Sequence, residues 1–372
     1  LKVLKYNNPD KVAFLMPPTY GPCRFGQYNK MQKIIIKELG YGNVPIISPG
    51  DPESKQFYKE YDMEGSKGSK FLLKAMTGIL TIDFLDKMLR QTRPYEKIKG
   101  KADKIYNKYL SDVCLYLEDS NSPKLLKKMV EILTEARKDF EKIPINKKEK
   151  PVVGIVGEIF VRNHPYSNNE IIKRVEKLGG EVDIPPFGEW PNHTNATSKL
   201  DITIKQKDLF YKIIKSFSLD SSNGYGSFGK NFSNYIKGTK FYITNRIFKR
   251  ILNNSCSKLE EPLKGFLREE KEADIYEIWD NAEPYIIKWF GEAALSVGKS
   301  VYWMENGIDG IINVMPFTCM PGTMVTAISK RLREEYKVPW LNLAFDGLEQ
   351  GTTETRLEAF MYQTRQHKKN KG

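Results

Sequence analysis

Two segments at opposite ends of this chain carry the same pattern. Residues 11–25 read KVAFLMPPTYGPCRF, and residues 311–325 read IINVMPFTCMPGTMV. Each has an apolar β-like run (12–16 and 311–315), then proline, a short Gly/Pro loop, a cysteine and a helical pattern. Strand, loop and helix in that order are the unit of open α/β sheets, whose ligands bind beyond the carboxyl ends of the strands. A cysteine at a helix N-terminus feels the positive end of the dipole, which favours thiolate. Cys23 and Cys319 therefore stand where metal ligands or nucleophiles stand. The competing reading is two small buried residues, the commonest fate of free cysteine.

The rest of the chain supplies the partners of such units. Residues 44–47 read as a second short strand after a helix at 25–39, making a first β-α-β unit. Residues 55–142 read as helical throughout, with apolar residues such as Leu125, Met129, Ile132 and Leu133 at helical spacing. Cys114 falls in this block and reads as core. A linker at 143–150 leads to a second unit. Its strand at 151–156 reaches Gly157 and Glu158, and a helix follows with Ser167 and Glu170 in capping-box spacing. A strand at 181–184 returns. Residues 185–201 read as irregular, and helices resume over 207–297.

That second helical stretch is broken at 221–229, where Gly224, Gly226 and Gly229 spell G-x-G-x-x-G. No strand precedes them, so they read as a flexible loop rather than a dinucleotide site. Cys256 reads as an exposed loop residue. The chain closes with a strand at 310–315, a helix at 323–336, a strand at 338–345 and a helix at 353–363. Asp346, Glu349 and Glu354 cluster past the last strand, as turn and helix-start residues or facing the crevice of Cys319. The basic tail at 367–371 reads as frayed.

The fold expectation is α/β, with two Rossmann-like lobes of short, mainly parallel sheets and large helical insertions. Residues 1–147 would hold a first α/β unit, the end of an N-terminal lobe, plus a helical block. Residues 148–372 would hold a second lobe with a helical insertion at about 205–300. A strand-like run close to Leu1 suggests that sequence upstream is missing.

Composition narrows the chemistry. Four cysteines in 372 residues are too few for a disulfide framework, which points to a reducing, cytoplasmic setting. No apolar run reaches membrane-spanning length, and no basic-then-apolar leader is present. The net charge of +13 permits an acidic or phosphorylated partner. No zinc-finger spacing or basic–aromatic stripe points to nucleic acid. There is no C-x-x-C, and only three histidines, so structural zinc is disfavoured. His164, in a strand-end loop, could serve a cysteine–histidine pair. Two cysteines fall short of the four thiolates that usually hold an iron–sulfur cluster. A cysteine upstream of Leu1, or one from a partner, would have to make up the deficit.

Four segments resemble one bacterial family. They are YGPCRFGQY (20–28), GEIFVRNHPYSNN (157–169), MPFTCMPGTMV (315–325) and WLNLAFDGLEQGTTETRLEAFM (340–361). The family is the acyl-CoA dehydratase activase-related proteins. It is similar to the cluster-bearing subunits of 2-hydroxyacyl-CoA dehydratases, benzoyl-CoA reductases and double-cubane cluster proteins. The likeness is weakest over 191–299. It implies a [4Fe–4S] or double-cubane cluster held by three cysteines per subunit. An ATP-hydrolysing iron–sulfur activator would supply electrons at low potential for reduction of an acyl-CoA or a small molecule. Cys23 and Cys319 match two of the family's cysteines, and the first has no counterpart here. No G-x-x-x-x-G-K-[ST] loop is present, so the chain resembles the electron acceptor rather than the ATPase.

Three functions follow as expectations. The first is an iron–sulfur redox component of the dehydratase or reductase type, in a homo- or hetero-oligomer. Cys23 and Cys319 would be its metal ligands, and Arg24, Pro316 and Pro321 would shape the loops around the cluster. Glu158 is its one acid/base candidate. The alternative is a non-catalytic C-terminal docking module of a multidomain activase, without its own cluster. The third is a CoA- or nucleotide-binding enzyme using Arg24, Lys330, Arg331 and Arg333.

Overall fold

The structure is a computed structural model. It describes residues 8–16, 23–48, 65–119, 124–146, 148–218, 224–268, 274–288, 290–346 and 351–371. The chain divides into two compact units, Leu1–Leu73 and Lys74–Gly372. Both sheets are small and parallel, and helices make up most of the rest, so the protein has a mixed α/β fold.

In the first unit, β1 (Phe14–Leu15) pairs in parallel with β2 (Ile46–Ile47), and α1 (Tyr28–Glu38) links them. The buried Asn29 amide donates to Ser48 Oγ at 2.9 Å, and that hydroxyl donates to the Met16 carbonyl at 2.6 Å. These bonds tie the crossover helix to both strand ends.

The second unit begins within a helix that starts in the first, and two more helices follow. Helix α2 is Gly65–Thr92, α3 is Lys101–Asp119 and α4 is Leu125–Glu141. They share a core of Leu85, Met88, Val113, Met129, Leu133 and Phe140, joined by Leu259 and Leu263. A four-stranded parallel sheet follows, in the order β4-β3-β5-β6. Its strands are β3 (Val152–Gly157), β4 (Glu181–Asp183), β5 (Gly310–Pro316) and β6 (Trp340–Phe345). Strands covered on both faces should be apolar almost continuously, as VVGIVG and GIINVMP are.

Helices α5 (Ile159–Asn163) and α6 (Ile171–Lys177) lead from β3 to β4. The insertion between β4 and β5 holds α7 (Glu189–Ser218), α8 (Gly224–Glu260), α9 (Ile275–Ala282) and α10 (Gly291–Glu305). Then come α11 (Met320–Tyr336) and, after β6, α12 (Thr352–Lys371). Val156, Ile311 and Trp340 pack on one sheet face with residues of α9, α10 and α11. Val153, Ile155, Ile312, Val314 and Leu343 pack on the other with residues of α6 and α12. The result is three layers, helix on sheet on helix. Gly157 ends β3 at φ +116°, and a Cβ there would lie 1.9 Å from the Val314 carbonyl oxygen, so only glycine fits.

Several local expectations need correction. Residues 189–201 belong to α7, and Gly224, Gly226 and Gly229 lie in the first turns of α8 rather than in a loop. Tertiary packing against α7 outweighs the weak helix propensity of glycine there. Gln206 donates to Thr239 Oγ1 at 2.8 Å, and the Phe210 and Tyr235 rings meet at 6.4 Å. The capping box at Ser167 and Glu170 does not form. Asn168, buried, accepts from the Ile171 N–H instead, with Asn169 and Glu170 both left-handed. The tail at 367–371 is helical, since Lys368 and Lys371 reach Asp309 at 3.8 and 3.7 Å. Cys114 is exposed on α3 rather than core. Cys256 is half-buried within α8 rather than on an exposed loop.

Candidate functional site

In an open parallel sheet the chain reverses its winding direction at one point, and ligands favour the crevice there. Here that point lies between β3 and β5, and Glu158 and Cys319 follow the ends of those strands. Glu158 is the N-cap of α5, its Oε2 accepting from the Val161 N–H at 2.8 Å. Glu292, from α10, comes to the same turn and accepts from the Ile159 N–H at 3.1 Å. Burial first, and then the neighbouring Glu158 charge, push the Glu292 carboxyl up to about 7. Glu158 is thus held in a structural capping bond beside a second carboxyl that the sequence did not single out.

Cys319 is the half-buried N-cap of α11, preceded by Thr318 in the left-handed region. Its N–H donates to the Pro316 carbonyl at 3.0 Å. Pro316 is the last residue of β5, and Pro321 lies in the first turn of α11. In the first unit, Cys23 is the half-buried N-cap of the short 3-10 turn Arg24–Gln27, and Arg24 is exposed. Both cysteines therefore precede helical turns.

The iron–sulfur expectation does not hold. Among the described residues no three His, Cys, Asp or Glu side chains come together in a group able to hold a metal ion. A cluster needs several thiolates on one compact centre. Cys23 and Cys319 belong to no such group, so the readings of metal binding, electron transfer and a [4Fe–4S] or double-cubane cofactor are withdrawn. Glu354, read as a possible neighbour of Cys319, is bonded to Arg174 of α6 at 2.9 Å. Glu349 lies outside the described residues. His164 is exposed, bonded to Ser167 at 2.8 Å and stacked on Phe160. Arg331 pairs with Glu335 at 2.7 Å and lies over the Tyr285 ring.

Two features of the second unit remain. One is a cavity of ≈ 110 Å³ beyond the carboxyl end of β4. Asp83, Phe84, Lys87 and Arg90 line it from α2, Asp183 and Ile184 from the strand end, and Lys299 and Tyr302 from α10. Asp83 accepts from the Phe187 and Gly188 N–H groups, both at 2.9 Å, yet burial raises its carboxyl to about 6. Glu189, also on the wall, faces Arg162 at 3.6 Å, and both side chains are buried. Nearby, His193 is buried against Trp190 and Trp279, and burial lowers it to about 4.

The other feature is the outer face of α8. Phe232, Ile236, Ile243, Ile247 and Ile251 are each between 41% and 56% exposed. Their spacing places them on one stripe of the helix. Lys230, Lys237, Lys240, Arg246, Lys249, Arg250 and Lys258 lie on the same helix, which has no acidic residue before Glu260. None of the seven has a carboxylate partner among the described residues, whereas α7 pairs Lys205 with Asp201 and Lys212 with Asp208.

No protein-family model, curated protein or solved structure matches this chain. Two features went unread in the sequence. Lys299 is the lone charge in the run AALSVGKSVYWM, which was a readable signal of a buried ammonium. The pairing of Glu158 with Glu292 carries no such signal, because 133 residues separate the groups it joins.

Proposed function

We propose that this chain is a non-catalytic docking module of the acyl-CoA dehydratase activase-related type, without a cluster of its own. Its lobes would be Rossmann-like, and its partner would be the ATP-hydrolysing portion of an activase. The observation that carries this reading is the exposed apolar stripe of α8, on a helix that carries seven basic residues and no acidic residue before Glu260. A contiguous exposed apolar patch on a folded protein marks an interaction surface. Uncompensated positive charge around it selects an acidic partner and steers its approach. The occupant would therefore be an acidic face of the ATPase portion, with apolar residues at its centre.

The test is sedimentation velocity on the chain mixed with the ATPase portion of an activase from this family, at low and at high salt. A complex that weakens with salt and is lost in Lys237→Glu/Lys240→Glu/Arg250→Glu supports the reading. Cys23→Ser and Cys319→Ser should leave the complex intact, and anaerobic iron and sulfide reconstitution should load no stoichiometric iron. No complex, or one indifferent to the three charge reversals, would overturn it.

A further inference from the structure

Independently of the docking face, we propose that the cavity beyond β4 binds a small organic carboxylate with a short apolar tail. Lys299 is the first reason. It lines the cavity from α10, every residue of which from Ala293 to Met304 is buried, and Lys299 itself is 7% exposed. Its ammonium lies 5.1 and 5.2 Å from the Tyr302 and Trp303 ring centres. Among the described residues it has no hydrogen bond and no ion pair. Most of the side chain is out of water, and ring faces offset only part of the hydration its ammonium gives up.

Arg90 is the second reason, and it comes from a different helix. Its Nε is buried without a hydrogen-bond partner, and its one ion pair among the described residues, with Asp86, is long at 3.9 Å, with Asp83 and Glu176 acting on it from further off. Two under-satisfied cations on one cavity call for an anion.

The carboxylates on the wall do not fill that role. Asp83 is held by two backbone amides, and Glu189 faces Arg162. Asp183 has no cation of its own among the described residues and stands ready for an ammonium on the ligand. Besides Lys87 and Asn192, the rest of the wall is largely apolar, including Leu80, Phe84, Ile275 and Ile278. Apolar walls with a few convergent polar groups are the usual form of a ligand site. A volume of ≈ 110 Å³ restricts the tail to a few carbons. An acid with a tail of that size puts its carboxylate on Lys299 and Arg90 and its carbons on the apolar wall. A small amino acid does the same and adds an ammonium for Asp183.

The experiment is isothermal titration calorimetry on the full chain with butyrate, L-alanine and n-butanol. Saturable one-to-one binding of butyrate or L-alanine, with none of n-butanol, is expected. Lys299→Met should weaken binding at least tenfold, and Lys299→Arg should retain it. If L-alanine binds more tightly, Asp183→Asn should remove the difference. Should Lys299→Met fail to fold, Arg90→Gln replaces it, with a several-fold loss expected. Absence of binding to the folded chain, equal binding by n-butanol, or full binding in a folded variant lacking either cation would overturn the proposal.

Discussion

His193 should make this protein measurably acid-sensitive. The imidazole is buried at 4% exposure, and its Nδ1 accepts from the Trp279 indole N–H at 3.2 Å. That bond requires the neutral ring, because a protonated Nδ1 cannot accept. Burial lowers the folded-state value from 6.5 to about 4. The unfolded chain then takes up a proton first as pH falls, so stability is lost between pH 6.5 and 4. The linkage relation gives a loss of about 2 kcal/mol at pH 5 and about 3 kcal/mol at pH 4. Asp83 and Glu292 work in the opposite sense, because raised carboxyls favour the folded state as pH falls. A difference measurement therefore isolates the histidine. Urea unfolding of the wild type and of His193→Gln, which keeps an acceptor but does not titrate, would be followed from pH 7.5 to 4. The wild-type advantage should shrink by those amounts. A difference independent of pH, or an imidazole NMR titration near 6.5, would refute the argument.

Three further outcomes follow from the geometry. Gly157→Ala should destabilise the second unit by more than about 3 kcal/mol in urea unfolding, because it combines a left-handed backbone with a clash against Val314. Arg162→Met should cost about 3–5 kcal/mol at pH 7.5, since it removes the guanidinium that faces the buried Glu189 carboxylate. Its partial rescue by Glu189→Gln in a double-mutant cycle would show that the pair, rather than the packing, is lost. Glu158→Gln should lower the pH at which Glu292 titrates, read by carboxyl 13C chemical shift, because it removes a neighbouring negative charge.

The central sheet was legible because buried parallel strands announce themselves as short apolar runs. VVGIVG and GIINVMP lie within a residue or so of their expected bounds. Helix α6 was equally plain from Ile171 and Val175. What escaped were places where distant packing decides the outcome. Glycines at the start of α8 read as a break, yet the helix runs through them with α7 alongside. Cys256 read as exposed because NNSCSK is polar, but it lines a cavity built with α2 and α10. The symmetry of the two cysteine segments was real in sequence and in local geometry, since both residues cap helical turns. It carried no information about how many other ligands stood nearby, and that number decides whether a metal can bind.

The sheet order also has a consequence for how the chain is made. Val153 of β3 pairs with Gly310 of β5, 157 residues later. At ribosomal speeds of ~5–20 residues per second, roughly 10–30 s pass between the emergence of the two strands. During that time β3 can pair only with the three-residue β4, and its other edge stays open. An open apolar edge is a template for wrong partners. The long helical insertion is synthesised in that interval, and its early compaction would bring the ends of the gap together. Ribosome release before residue 316 should therefore yield chains that aggregate through β3, whereas release after β6 should not.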